Sequence, residues 1–180
     1  MSKAVIVFLK APEKGKVKTR LSIAFDESFV QELYKGFIKD TLDILEKAQD
    51  KFIYFWPPGS KDTVKKFIGN EFIFVSQKGI DLGQRMSNAF QDIFKKGYDR
   101  AILIGTDIPE LNKEIITLAY KTLEDQDAVI GPSTDGGYYL IGFKKSRFSR
   151  RVFNEIDWST NLVLDQTINI MNKLSFQYKL

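Results

Sequence analysis

The sequence contains no cysteine and no histidine. The first absence excludes disulfides, thiolate zinc sites and a cysteine nucleophile. The second removes imidazole as a metal ligand or acid-base group, and Ser-His-Asp chemistry with it. Any catalysis must therefore use carboxylates, lysine, arginine, hydroxyls, backbone dipoles or a metal held by oxygen. Long apolar runs are also missing, and none approaches the ~20 residues that a membrane-spanning helix needs. Met1-Ser2-Lys3 leads straight into Ala4-Val5-Ile6-Val7-Phe8-Leu9. That run is too short and strand-like for a signal peptide, and no small-residue cleavage site follows it. A soluble cytoplasmic protein with no membrane partner is expected. No linker, low-complexity tract or internal repeat interrupts the 180 residues, so one domain spanning 1–180 is expected.

The 43% hydrophobic and 28% charged fractions are those of an ordinary globular chain with a sizeable core. The net charge of +4 is concentrated in one place. Lys10, Lys14, Lys16, Lys18 and Arg20 fall within one short stretch against the single acid Glu13, and the remaining chain balances. This points to a local anion site. Nucleic-acid binding draws a basic stripe from several elements, so no nucleic-acid partner is expected.

Apolar runs at 4–9, 52–56, 72–75, 101–104, 128–130 and 138–143 read as strands. Between them lie helical patterns. One begins near Asp26 or Ser28 with a stripe of Val30, Leu33, Phe37, Thr41 and Ile44. A short one follows Ser60. The strongest carries Leu82, Met86, Ala89, Phe90, Ile93 and Phe94 behind Asp81, and another follows Asn112 with Ile115, Leu118, Ala119 and Thr122. The last covers about 161–174, with Ser159 or Thr160 as its cap, before a short strand at 176–178. The alternation predicts an α/β three-layer sandwich with a mostly parallel sheet.

Five stretches can carry chemistry. In the first, the buried-looking run 101–104 enters Gly105-Thr106-Asp107-Ile108-Pro109. This leaves Asp107 on a short loop beyond the carboxyl end of a strand, where ligands bind in open α/β sheets. Asp107 can hold a divalent metal against phosphate, or simply cap a turn. The second is the basic loop Lys10–Leu21, which follows the first strand and contains neither a Walker A pattern nor Gly-x-Gly-x-x-Gly. Backbone N–H groups, a helix N-terminus, Lys18 and Arg20 can hold phosphate there, or the loop can be merely solvated. The third places Asp135 in Ser133-Thr134-Asp135-Gly136-Gly137, as a second carboxylate or part of an ordinary hairpin turn. In the fourth, Gly83 in a first helical turn suggests close backbone approach, and Arg85 reaches a phosphate or lies on the surface. In the fifth, Trp158 offers a sugar platform or a buried anchor.

Taken in order, Lys14-Gly15-Lys16-Val17-Lys18-Thr19-Arg20-Leu21, Asp81-Leu82-Gly83-Gln84-Arg85-Met86, Gly105-Thr106-Asp107-Ile108-Pro109, Gly131-Pro132 with Asp135-Gly136-Gly137-Tyr138-Tyr139, and Trp158-Ser159-Thr160 cover nearly the whole chain. The set resembles the GT-A-like transferases associated with radical-SAM and selenodomain proteins (arsenosugar-type glycosyltransferases, DUF2064-like). It resembles molybdopterin-guanylyl and phospholactate-guanylyl nucleotidyltransferases more distantly. The resemblance implies a nucleotide-diphospho-sugar transferase fold, a nucleotide at the first loop and a divalent metal at Asp107. That family commonly continues to an Asp-x-Asp-like segment beyond the last helix. These residues end at Leu180 without one, so Asp135 is expected to supply the second metal ligand.

The resulting expectation is a transferase dependent on Mg2+ or Mn2+ held by Asp107 and Asp135, with both carboxylates in the chemistry. Lys14, Gly15, Lys18 and Arg20 hold phosphates, while Arg85 and Trp158 shape the sugar or acceptor pocket. The partners are a nucleotide sugar or nucleoside triphosphate and a small-molecule acceptor. Glycosyl transfer leads. Nucleotidyl transfer to a phosphorylated acceptor and non-catalytic nucleotide binding are the alternatives.

Overall fold

The first apolar run forms strand β1 (Lys3–Lys10), with Ala4 to Val7 buried on both sides. It is the centre of a computed structural model that describes residues 1–19, 21–45 and 50–180. The chain continues as α1 (Glu27–Asp43), β2 (Asp50–Trp56), α2 (Lys61–Ile68), β3 (Ile73–Ser76), α3 (Leu82–Lys95) and β4 (Arg100–Ile104). Then follow α4 (Lys113–Asp125), β5 (Ala128–Pro132), β6 (Tyr138–Lys144), α5 (Val163–Lys173) and β7 (Tyr178–Lys179). Short 3-10 turns lie at Leu21–Ile23, Pro58–Ser60 and Arg150–Phe153.

The seven strands make one sheet in the order β3-β2-β1-β4-β6-β5-β7. All neighbours are parallel except β6, which runs antiparallel to both β4 and β5. The crossover through α4 skips one position, and the turn at 133–137 folds β6 back into that slot. Side chains alternate across the strands. Val5, Val7 and Leu9 meet Tyr34, Ile38, Val64 and Tyr120 from α1, α2 and α4. Ala4 and Ile6 meet Met86, Phe90, Ile93 and Met171 from α3 and α5. This is the expected three-layer sandwich.

Asp26, Asp81 and Asn112 cap their helices, accepting from Ser28 N at 2.7 Å, Gln84 N at 2.7 Å and Ile115 N at 2.9 Å. Two helices are rotated from the expected stripes. α1 buries Val30, Tyr34, Ile38, Thr41 and Leu42, leaving Leu33, Phe37 and Ile44 only half-buried. α4 buries Ile116, Ala119, Tyr120, Thr122 and Leu123, with Leu118 exposed. In both cases the buried arc includes a tyrosine whose hydroxyl finds a β1 carbonyl. Tyr120 donates to Ala4 O at 2.7 Å and Tyr34 to Lys10 O at 3.1 Å. A buried phenol needs such a partner, and the edges of β1 provide it.

Three boundaries also differ. Ser60 precedes α2, but its hydroxyl donates to Pro57 O instead of capping the helix. The N-cap of α5 is Leu162, without a side-chain cap. Thr160 accepts from Leu162 N in the preceding turn, and Ser159 adopts a left-handed φ of 68°. The final strand comprises Tyr178 and Lys179 only. Among the described residues, no helix is long and apolar enough to cross a membrane.

The carboxyl ends of β1 to β5 share one edge of the sheet. From β1 the chain proceeds outward through β2 and β3, then returns on the opposite side of β1 as β4. Strand order therefore reverses between β1 and β4, which opens a crevice at their carboxyl ends.

Candidate functional site

Asp107 follows β4, whose five residues are all buried. The sheet is thus dry up to Ile104, and the loop beyond it reaches water. The Asp107 carboxyl is half-exposed, with Oδ2 3.0 Å from Lys18 Nζ. Lys18 has a left-handed φ of 48°, which turns the basic loop back across the crevice. Its ammonium also lies 5.7 Å from the centroid of Phe37, a residue expected in the core. An ion pair this open to water contributes at most about 1 kcal/mol. What it fixes is placement: the end of the cationic loop meets the carboxylate.

Tyr34, absent from the sequence-based candidates, joins these loops. Its hydroxyl accepts from Lys10 N and donates toward Lys10 O, both at 3.1 Å, and sits 3.2 Å from Thr106 Oγ1. Burial pushes its pKa to about 12, with the nearby Asp107 charge adding to the shift. The phenol therefore stays protonated and ties the ends of β1 and β4 together. The signal for it was the arc Val30, Tyr34, Ile38, one residue away from the stripe that hydrophobicity alone favours.

The basic loop is anchored from beneath. Val17 is buried in the core, and Gln31 Nε2 donates to Pro12 O at 2.6 Å. Gly15 sits at φ +70°, and Lys16 pairs with Glu13 at 2.7 Å. Lys14 and Gly15 are exposed. The N-terminus of α1, a candidate phosphate site from sequence, is satisfied internally. Asp26 accepts from Ser28 N and Phe29 N, and these bonds hold its carboxyl below the usual range. Cationic side chains and the loop backbone are what this segment offers an anion. Arg20 lies outside the described residues.

Asp135 belongs to a constrained turn. Its Oδ1 accepts from Ser133 Oγ at 2.5 Å and from Gly137 N at 3.2 Å. Gly136 has φ +82°, and a Cβ there would stand 2.1 Å from Asn161 O. Its carbonyl accepts from Leu164 N at 2.9 Å, which docks the turn on the start of α5.

Asp107, Asp135 and Trp158 line one cavity of about 660 Å³. Trp158 packs against the first turn of α3. A Cβ on Gly83 would lie 2.5 Å from its ring, which accounts for glycine in that turn. Behind it, Gln166 clasps Asp157 by two bonds of 2.7 and 2.8 Å. Arg85 lies elsewhere, stacked 4.5 Å from the Trp56 centroid with Nε donating to Asp81 O. Neither Arg85 nor Lys14, Gly15 or Lys18 is among the described residues of the cavity wall. The sequence candidates thus divide into a loop group and a cavity group, joined by the Lys18–Asp107 pair.

Among the described residues, no group of three or more His, Cys, Asp or Glu side chains could hold a metal. Two carboxylates and the Ser133 hydroxyl do share the cavity. Such hard oxygen donors fit Mg2+ or Mn2+, which take one or two carboxylates and complete their shell with phosphate and water. Burial pushes both Tyr34 and Tyr138 up, so neither phenol can act as a base near neutral pH.

Three comparisons bear on this arrangement. A model of the family described as "Uncharacterized protein conserved in bacteria (DUF2064)" matches residues 41–160. The crystal structure of a protein from Desulfovibrio desulfuricans G20, provisionally named a nucleotide-diphospho-sugar transferase, superposes with a TM-score of 0.94 at 38% identity. The match covers 99% of this chain and 79% of that one. The fold is also similar to that of a cytidylyltransferase from Leptospira borgpetersenii serovar Hardjo-bovis (strain JB197), with TM-score 0.53, 14% identity and coverage of 99% and 74%. The 4-diphosphocytidyl-2C-methyl-D-erythritol synthase from Anaerococcus prevotii DSM 20548 gives 0.59 at 12% identity, covering 98% and 86%. No curated protein matches the chain.

Proposed function

We propose that the chain, which belongs to the DUF2064 family, transfers a sugar from a nucleotide-diphospho-sugar to a small-molecule acceptor. The observation that carries this reading is the meeting of Lys18 and Asp107 at 3.0 Å in the β1–β4 crevice, between a cationic loop and a cavity. The provisional name of the D. desulfuricans relative points the same way.

In this reading, Lys14, Lys18 and Arg20, with the Gly15 backbone, hold the diphosphate. Asp107 and Asp135 hold Mg2+ or Mn2+, which when bound supplies positive charge against the leaving diphosphate. Lys18, now paired with Asp107 at 3.0 Å, would be free to pair with phosphate if Asp107 held a metal. Asp135 faces the cavity and orients the acceptor hydroxyl or takes its proton. Trp158 gives the sugar an apolar face, while Arg85, held on Trp56, stands outside the cavity wall. Arsenosugar-type chemistry would be one instance of such a transfer.

A thermal-shift panel of nucleotide sugars and triphosphates, with and without Mn2+, tests the proposal. A ligand at about 100 times its Kd stabilises by about 2.7 kcal/mol. That corresponds to a rise of about 5–11 °C for a chain of this size. The expected result is such a rise with a nucleotide sugar and Mn2+, whose metal-dependent part disappears in Asp107→Asn. A rise with a triphosphate but with no nucleotide sugar would replace glycosyl by nucleotidyl transfer.

A further inference from the structure

We infer that Asp157 and Gln166 are positioning residues that hold Trp158 as a preset wall of the cavity, in place for a sugar before any ligand arrives. The sugar in this inference rests on the transfer proposed above.

The stretch from Glu155 to Asn161 has little apolar packing to fix it. Ile156 is buried and Trp158 half-buried, while the rest are exposed. Yet its backbone is far from relaxed. Glu155 and Ser159, neither of them glycine, adopt left-handed φ angles of 55° and 68° on either side of Trp158. Such conformations are costly for a residue with a side chain and persist only where the surroundings dictate them. Asp157 supplies that constraint with three groups. Its N–H donates to Gln166 Oε1 at 2.8 Å, its carboxylate accepts from Gln166 Nε2 at 2.7 Å, and its carbonyl accepts from Thr160 Oγ1 at 2.7 Å. Trp158 N donates to Ile156 O at 3.0 Å across the same residue.

Helix capping does not account for the clasp. The start of α5 has no side-chain cap, and the Asp157 carboxylate takes the Gln166 amide instead. Among the described residues, Trp158, Ser159, Thr160 and Asn161 line the cavity, whereas Asp157 and Gln166 do not. The clasp thus acts through the segment that it closes. That segment is fixed at two other places. The Trp158 ring lies where a side chain on Gly83 would be, and Leu164 N donates to Gly136 O at 2.9 Å, next to Asp135. Trp158 and the Asp135 turn therefore share one support. A wall fixed in advance spares the complex the ordering of a large side chain, a cost that otherwise lowers affinity.

Reversing the clasp tests it without changing its size. Gln166→Glu sets two carboxylates against each other and opens it. Adding Asp157→Asn closes it again with donor and acceptor exchanged, because the new amide donates to the new carboxylate, which still accepts from the backbone N–H. Gln166→Met removes both bonds without adding a charge. The chain has two tryptophans, so Trp56→Phe in every protein leaves Trp158 as the reporter. The probes are UDP-glucose against UDP and GDP-mannose against GDP, each with Mn2+. Gln166→Glu and Gln166→Met are expected to raise acrylamide quenching of Trp158 about twofold as the ring gains motion. They are expected to weaken the nucleotide sugar that binds by about tenfold, with its nucleoside diphosphate changed by less than about twofold. The double variant should return both readings to their starting values. A general loss of structure would weaken the nucleoside diphosphate as well and would not be reversed by Asp157→Asn. Unchanged quenching in Gln166→Met, no recovery in the double variant, or equal weakening of sugar and diphosphate overturns the inference. If that happens while a nucleotide sugar with Mn2+ still stabilises the protein, the clasp is wrong and the transfer reading stands. If quenching follows the expected pattern but no nucleotide sugar binds, the clasp stands and the transfer reading falls.

Discussion

The two sides of Asp107 are built in opposite ways. Toward β1 lies a single continuous segment carrying Lys14, Lys16 and Lys18 on a backbone bent at Gly15 and Lys18. Toward β6 lies a cavity assembled from the ends of β1 and β4, the 133–137 turn, the first turns of α3 and the approach to α5. The loop side is cationic and open, while the cavity side is apolar with two carboxylates. Such a division suits a reaction whose leaving group is highly charged. It also means that the loop is shaped by local turns, whereas the cavity depends on contacts between distant segments. The two sides should therefore fail differently when disturbed.

The largest expected effect is on the cavity side. In Gly136→Ala the new Cβ would meet Asn161 O at 2.1 Å, a backbone atom with nowhere to go, at a φ of +82°. Left-handed strain of about 1–2 kcal/mol and overpacking of about 1–3 kcal/mol together give about 3 kcal/mol. Calorimetry should record a Tm lower by about 6–12 °C. A change within about 2 °C would mean that the turn is not fastened to α5 as described.

Gly83→Ala and Gly15→Ala form a matched pair, one on each side. At Gly83 the Cβ would fall 2.5 Å from the Trp158 ring, and the indole must move. A cost of about 2 kcal/mol is expected, with altered Trp158 emission. At Gly15 the nearest atom is a Glu27 carboxylate oxygen at 3.2 Å, the end of a flexible side chain, so the φ of +70° alone is costly. About 1 kcal/mol is expected there, without a change in Trp158 emission. Urea denaturation and fluorescence on both variants would test the division. If Gly15→Ala alters Trp158 as much as Gly83→Ala does, the two sides are one coupled unit.

The same contrast governs what could be read from the sequence. The strand runs, the alternation that gives the three layers, and the caps Asp26, Asp81 and Asn112 are local properties of the chain, and all were legible. So was the close approach at Gly83, since glycine in a first helical turn goes against propensity. The rotation of α1 and α4 was not. Both helices carry apolar residues around more than half their circumference, and the choice fell to tyrosine hydroxyls seeking β1 carbonyls. Asp107 and Asp135 could be nominated singly, but their common cavity arises from β6 entering between β4 and β5. Nothing in a 3.6- or 2-residue period encodes that insertion. Arg85 went to Trp56 because a guanidinium stacks well on an indole, a pairing across distant segments.

Tyr34 is where the two sides join, and its removal should have an effect as small as that of Gly15→Ala, with a more specific signature. Tyr34→Phe keeps the ring in the core but deprives Lys10 N and Thr106 of a partner, at about 1 kcal/mol. A fall in Tm of about 2–4 °C is expected at neutral pH. The signature lies at high pH. Burial raises the Tyr34 pKa from 10.0 to about 12, against the opposing hydrogen bond from Thr106. The unfolded chain therefore gives up this proton first. The stabilisation is complete below pH 10 and is lost as the pH rises toward about 12. Tyr54, Tyr98 and Tyr138 are also raised by burial, so the native protein loses stability through several phenols over this range. Urea midpoints measured across it should fall less steeply in Tyr34→Phe, by the equivalent of one proton. Identical slopes would mean that Tyr34 titrates alike in both states and that its hydroxyl is not the buried link between the loop and the cavity.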